Sequence, residues 1–281
     1  MKTLCEHLYE SLLDISDVET NVEPIAMIDN WCKDNIGGNY TIDEKTLTIN
    51  SSSSITITNR KLVEFPSYIR FGIVNGHFSC SNCDSLKSLV GFPKEVGGDF
   101  WCDNCTSLKS LEGAPEKVEG VFSCNACPSL ESLKGAPKEV GKGFYCSGCT
   151  SLKSLEGAPK EVGNGFYCDA CSSLKSLEGA PKEVGRDFDC SNCTSLKSLE
   201  GAPEKVSGGF SCAGCTSLTS LEGAPEKVSN DFYCGRCTSL KSLVGFPKEV
   251  GGSLYCKRCP SLKSFGDIST HIKGKIYSGK K

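Results

Sequence analysis

The residues best suited to chemistry in this chain are cysteines. Cys80, Cys102, Cys124, Cys146, Cys168, Cys190, Cys212, Cys234 and Cys256 fall 22 residues apart, and each is followed three residues later by a second, from Cys83 to Cys259. Thiolates at C-x-x-C spacing can hold zinc or an iron–sulfur cluster, or can cycle between dithiol and disulfide. If the copies stack as parallel strands about 4.8 Å apart, two neighbours bring enough thiolates for zinc at about 2.3 Å each. Three observations weigh against this. The spacing follows from the repeat itself, one cysteine filling a strand slot and the other a turn slot. Nine copies are odd, and no 44-residue superperiod marks pairs of copies. No cation recurs where it could offset four buried thiolates. A buried free cysteine behaves as a small hydrophobe with a weak S–H donor, able to serve carbonyls in a turn. A strand-to-turn pair also lacks the helix-start setting that lowers a thiol pKa, so no thioredoxin-like activity is expected. Structural thiols are the leading reading, with no metal and no cofactor. A metal or iron–sulfur protein is the alternative.

Other catalytic patterns are missing. The three histidines, His7, His77 and His271, do not recur and stand beside no repeating Ser or Asp. The serines of the S-L-x-S-L segments are numerous because the unit is copied. No P-loop, no G-x-G-x-x-G after a strand and no H-E-x-x-H occurs. The chain is expected not to be an enzyme.

Composition sets the frame for those cysteines. The 281 residues carry a formal net charge of -3, which gives no reason to expect a nucleic-acid or membrane partner. Hydrophobic residues make up only 38%, with 30 glycines, a mixture that suits many turns and a thin core. No run of about 18 apolar residues suggests a membrane span. The opening MKTLCEHLYESLLDISD is acidic and does not read as a secretory signal. The expectation is therefore a reducing, cytoplasmic setting with free thiols among the 20 cysteines.

The elements that position the cysteines come from one repeated unit, F-x-C-x-x-C-x-S-L-x-S-L-x-G-x-P-x-x-V-x-x-x, present nine times. Leu86 to Leu262, Pro93 to Pro247 and Val96 to Val250 keep the same beat. A 22-residue unit cannot bury its own apolar side, whereas stacked units share one core. In Phe100-Trp101-Cys102-Asp103 the alternation predicts a half-buried strand, Phe100 and Cys102 inward, Trp101 and Asp103 outward. Gly97-Gly98 supplies a bend before it. Leu108 and Leu111 make too short a stretch for a stable helix, Gly113 and Pro115 break the chain, and Val118 returns it to the core. Each coil is thus one short parallel strand, a turn and a mostly irregular return.

This unit resembles a leucine-rich repeat, L-x-x-L-x-L-x-x-N/C-x-L. Phe100 and Cys102 take the strand positions, Cys105 the Asn/Cys position, and Leu108 sits one residue later, as in the Cys variant. The F-x-x-C-x-S-L-x-S-L-x-x-x-P-x-x-V flavour also resembles the BspA-type repeats of bacterial surface proteins and, more closely, short-repeat proteins of phages that infect gut bacteria. The resemblance covers residues 55–265. It implies a right-handed β-solenoid of leucine-rich-repeat type. A phage accessory role in the host cytoplasm is a further, weaker implication. Repeat scaffolds host many tasks, so function has to come from the site.

Four segments are expected. Residues 1–39 form a helical N-terminal cap, with one face on Leu4, Leu8, Leu12 and Ile15 and a second helix from Pro24 to Gly37-Gly38 burying Ile25, Ile28, Trp31 and Cys32. This segment caps the open end of the core, or else docks a partner. Residues 40–77 hold degenerate first coils around Thr46–Ile49 and Ile55–Thr58, and 78–265 the nine repeats. Residues 266–281 close the solenoid through Ile268, Ile272 and Ile276 and end in a basic, solvated tail.

Copies of one unit can be compared with each other. The core positions barely vary; the outward strand positions do. After Phe the series runs Ser79, Trp101, Ser123, Tyr145, Tyr167, Asp189, Ser211, Tyr233 and Tyr255, and after the first Cys it includes Asp103, Asp169 and Lys257. These residues line the strand face, which is concave in horseshoe repeats. Aspartates gather in the early and middle coils, while Arg236, Lys257 and Arg258 make the last two basic. Tyr and Trp are the side chains that supply binding hot spots, although Tyr is also simply a good strand residue. The lysine column (Lys109, Lys153, Lys175, Lys197) and glutamate column (Glu112, Glu156, Glu178, Glu200) read as a solvated flank. The expected function is non-catalytic recognition of a protein by a monomer. The expected contacts are Trp101, Asp103, Tyr145, Tyr167, Asp169, Asp189, Tyr233 and Tyr255.

Overall fold

A computed structural model describes residues 22–279. Helix α1 (Val22–Asn35) begins two residues before the expected Pro24 and ends where the chain turns into strand β1 (Ile36–Gly37). Its buried side is Ile28 and Cys32, with Ile25 and Trp31 packed partly against the same core. Asn35 ties the helix to the first coils: its carbonyl accepts from Thr58 N at 2.8 Å and its Oδ1 accepts from Asn59 Nδ2 at 2.7 Å. The earlier expected helix around Leu4–Ile15 lies outside the described residues.

Strands β2 (Thr41–Asp43) and β3 (Thr48–Ser51) form an antiparallel hairpin, and β1 pairs antiparallel with β4 (Ile55–Ile57). From there on every pairing is parallel and steps by one coil. The architecture is the expected β-solenoid, with one difference. The return of every repeat but the last is not wholly irregular but carries a second two-residue strand, such as Glu95–Val96 or Lys117–Val118. These strands build an 11-stranded sheet, while the Phe-bearing strands, such as Phe100–Trp101 and Phe122–Ser123, build one of 12. The register is strict: Phe122 pairs with Phe100 and Phe144, and Val118 with Val96 and Val140.

Six side chains per coil fill the space between the sheets. In the second repeat Phe100, Cys102, Cys105, Leu108, Leu111 and Val118 are all wholly buried. Register places identical residues on top of each other, so the phenylalanines form a column. Phe100, Phe122, Phe144 and Phe166 stack near-parallel at 5.1–5.2 Å between centroids. Each such contact adds about 0.5–1.5 kcal/mol beyond burial alone. The backbone ladder also runs on past the strand into the C-x-x-C turn. Cys102 N reaches Ser123 O at 2.8 Å, and Asn104 N reaches Asn125 O at 2.8 Å.

Glycine is needed where the coil turns back. Gly113 has φ +90°, and a Cβ there would stand 2.4 Å from the carbonyl carbon of Leu89 one coil below. At the far end Leu254–Cys256 pairs with Ile276–Ser278, and Ile268 is buried while Ile276 stays 41% exposed. Among the described residues no helix is long and apolar enough to cross a membrane.

Candidate functional site

The strand face grows directly from the register. Because Tyr145 pairs with Tyr167 and Tyr233 with Tyr255, outward rings in adjacent coils must lie over one another. Two separate stacks result. Tyr145 and Tyr167 stack at 4.6 Å and 11°. Tyr233, Tyr255 and Tyr277 stack in turn at 4.7 Å per step. Both rings of the first stack lean over glycines: a Cβ on Gly143 or Gly165 would lie 2.5 Å from the Cε2 of Tyr145 or Tyr167. Tyr233 is anchored differently, its hydroxyl donating to Asp231 Oδ2 at 2.9 Å. Burial and then that bond to Asp231 push the Tyr233 phenol up to about 12. Tyr167 is also raised, by burial and the nearby charge of Asp187.

The other expected contact residues are placed as follows. Trp101 stacks on His77 at 5.0 Å, apart from both tyrosine stacks. His77 Nδ1 accepts from Asp99 N at 2.8 Å, so that histidine braces the Trp101 ring and caps a turn. Asp103 accepts from Asn125 N at 2.7 Å and from the Ser123 hydroxyl, holding the next coil. Asp169 accepts from the Ser147 hydroxyl. Asp189 accepts from Ser191 N at 2.8 Å and stands, with Ser211, in the two coils between the tyrosine stacks. Burial raises the Asp189 carboxyl, and the like charges of Asp169 and Asp187 add to the rise.

Sequence reasoning counted Asp187 among the aspartates of the early and middle coils but missed His77, Asp231 and Tyr277 as part of this face. The signal for Tyr277 was present, since it falls 22 residues after Tyr255, beyond the last cysteine pair. Asp187 and Asp231 precede their Phe and cap the next coil, Asp187 accepting from Gly209 N and Asp231 from Ser253 N, both at 2.7 Å.

The cysteine columns face the other way, into the core, and act as hydrogen-bond donors. From Cys105 to Cys259 each second-position thiol reaches the carbonyl of the first cysteine one coil back, as Cys105 to Cys80 O at 3.3 Å, Cys149 to Cys124 O at 3.2 Å and Cys237 to Cys212 O at 3.2 Å, while Cys83 reaches Asn59 O. A thiolate could not make that bond. The hydrogen bond to the neighbouring thiol, together with burial, pushes Cys124, Cys146, Cys168, Cys190 and Cys212 well above the ordinary thiol range, whereas the bond from Cys80 and from Cys212 holds Cys105 and Cys237 below it. Metal ligation requires the deprotonated form. Among the described residues no three His, Cys, Asp or Glu side chains converge on a point that could hold an ion.

No protein-family model matches the chain, and none of the curated proteins compared with it does. A leucine-rich repeat protein from Bacteroides ovatus of known crystal structure aligns with 16% identity over 88% of this chain and 98% of that one, with a TM-score of 0.24. At that score the solenoid assignment stands on the two sheets described above, and the similarity adds no argument about function.

Proposed function

We propose that this protein is a non-catalytic repeat scaffold that recognises a protein partner through its strand face. The observation that carries the reading is the pair of outward tyrosine stacks, Tyr145–Tyr167 and Tyr233–Tyr255–Tyr277, held on a ladder whose core they do not fill. Rigid, amphipathic rings at fixed spacing bind with little loss of side-chain entropy. Partly buried tyrosines stacked at 4.6–4.7 Å add binding surface without being needed for the column of phenylalanines beneath them. The described histidines have structural partners, His77 with Asp99, whose N–H it accepts and whose carboxylate lies 3.5 Å away, and His271 with the carbonyl of Pro247.

Panning a random peptide display library on the immobilised protein tests this reading. Peptides are expected to enrich on the native chain and to be lost when Tyr145, Tyr167 and Tyr233 are all changed to Ser. The variant should keep its circular dichroism and its amide protection. Enrichment that is indifferent to those three changes overturns the reading.

A further inference from the structure

Between the two tyrosine stacks the strand face has a gap two coils wide. The ring of Tyr167 is stacked on its Tyr145 side and that of Tyr233 on its Tyr255 side, so the opposite ring faces look toward each other across coils that carry only Asp189 and Ser211. The two rings are three coil steps apart, about 14 Å at about 4.8 Å per step. The floor is small and polar: the Ser191 and Ser211 hydroxyls bond to each other at 2.6 Å. A shallow cavity of about 460 Å³ opens beside it over Ala213 and Gly214, and its far side is basic, lined by Arg236, Lys257 and Arg258.

The gap is also acidic. Asp169, Asp187, Asp189 and Asp231 occupy its floor and edges, and no described lysine or arginine forms an ion pair with any of them. Elsewhere on the molecule carboxylates are paired across coils, as Glu116 with Lys138 and Glu226 with Lys248. Arg186 stands near enough for its charge to act on Tyr167, and Arg236 lines the neighbouring cavity with Tyr233, but neither is ion-paired with these aspartates. Four carboxylates that lack an ion-pair partner, between two tyrosine rings, match one chemistry. A guanidinium stacks flat on a tyrosine ring and donates in the ring plane to carboxylates.

We propose that this gap seats an extended segment of the protein partner that carries arginines at positions i and i+2. Side chains two apart on a strand emerge from the same face at about 6.8 Å, and a planar group packs on a ring at about 3.5–4.0 Å. One guanidinium against Tyr167 and one against Tyr233 therefore fill the gap, with Asp187 and Asp189 between them. The inference rests on the strand face being a binding surface and names the partner's chemistry.

The test uses the full chain and three peptides, acetyl-Gly-Arg-Ser-Arg-Gly-amide and its Lys and Glu counterparts, in titration calorimetry at low salt. The Arg peptide is expected to bind, the Lys peptide to bind several-fold more weakly, and the Glu peptide not at all. Affinity for the Arg peptide should fall about tenfold or more in Asp187→Asn with Asp189→Asn, and again in Tyr167→Ser. The Asn pair keeps the acceptors for Gly209 N and Ser191 N, so folding is preserved. Equal or tighter binding of the Glu peptide, or Arg binding unchanged in the Asn pair, overturns the inference. If library peptides depend on the tyrosines yet lack a basic pair, this inference fails and the face reading stands. If no enrichment depends on the tyrosines, the face reading itself has failed.

Discussion

The thiol of Cys127 donates to the carbonyl oxygen of Cys102 at 3.3 Å, across one coil boundary. The carbonyl lies where the strand ladder passes into the C-x-x-C turn, and the bond ties each coil to the one before it. Cys127→Ala removes both the donor and the buried sulfur, and is expected to cost about 2 kcal/mol. Cys127→Ser keeps a donor and should cost less. Guanidinium denaturation of the two variants measures the difference, and equal losses would show that the S–H bond carries no weight.

Thiol titration separates structural cysteines from ligands. All nineteen described cysteines are buried, and burial pushes even Cys83 and Cys256, near the two ends of the series, up to about 11. They should be inert to Ellman's reagent at pH 8 and react only on unfolding, and EDTA should leave Tm unchanged. The raised thiols outnumber the two lowered ones, Cys105 and Cys237, and so set the sign of the pH dependence. An acid whose folded pKa is raised holds its proton in the native state while the unfolded chain loses it above about pH 8.5. Stability should therefore fall as pH rises above about 8.5, and go on falling toward pH 11. A chelator-sensitive Tm would restore the metal reading.

Backbone strain recurs at the residue before each second cysteine. Ala126, Ala170 and Arg236 sit at φ 52°, 57° and 61°, while Gly148 and Gly214 occupy the same position at 72° and 75°. A left-handed conformation costs a non-glycine residue about 1–2 kcal/mol, partly offset by the greater unfolded freedom of glycine. Ala170→Gly is expected to stabilise the chain by about 0.5–1 kcal/mol, and Gly148→Val to destabilise it by more. Thermal melts of the two variants check both signs.

The legible parts of the fold are those written as a beat. Phe100, Cys102, Cys105, Leu108, Leu111 and Val118 are inward as their types and spacing required. The strand at Glu95–Val96 was not legible, because two residues show no alternation and the valine alone could belong to a return loop. That Trp101 and the tyrosines lie on the outward strand positions followed from period two. Their division into two stacks follows from register between coils, which no single repeat contains. The roles of Asp187 and Asp231 as caps depend on a backbone N–H 22 residues further on, and nothing local in the sequence marks it.

The Lys–Glu order after proline sets pairing between coils. Glu116 meets Lys138 at 3.5 Å and Lys117 meets Glu139 at 3.9 Å, because the order reverses between those coils. Where it does not reverse, as from Lys138-Glu139 to Lys160-Glu161, like charges face each other in register. Exchanging the pair, Glu116→Lys with Lys117→Glu, puts like charges against both neighbours. The Tm should drop slightly in low salt, and the difference should vanish at about 1 M salt, where screening acts within about 3 Å. A loss that persists in high salt would mean the order matters through packing instead.

Asp189 links stability to the proposed use of the face. Its carboxyl is raised by burial and by the charges of Asp169 and Asp187, so the native state holds that proton more tightly than the unfolded chain does. Below the unfolded carboxylate pKa of about 3.9 the group is neutral in both states and costs nothing. As pH rises through the raised folded value the unfavourable charge appears and stability falls. Asp189→Asn keeps the acceptor for Ser191 N and removes the charge. It should therefore raise Tm at pH 7, and the gain should disappear below about pH 3.9. The same substitution should weaken binding of the Arg-Ser-Arg peptide, because a site that waits for a cation is destabilised while empty. Melting curves at pH 3 and pH 7 and one peptide titration decide the matter together: a variant that is no more stable at neutral pH would show that Asp189 is not held against its charge.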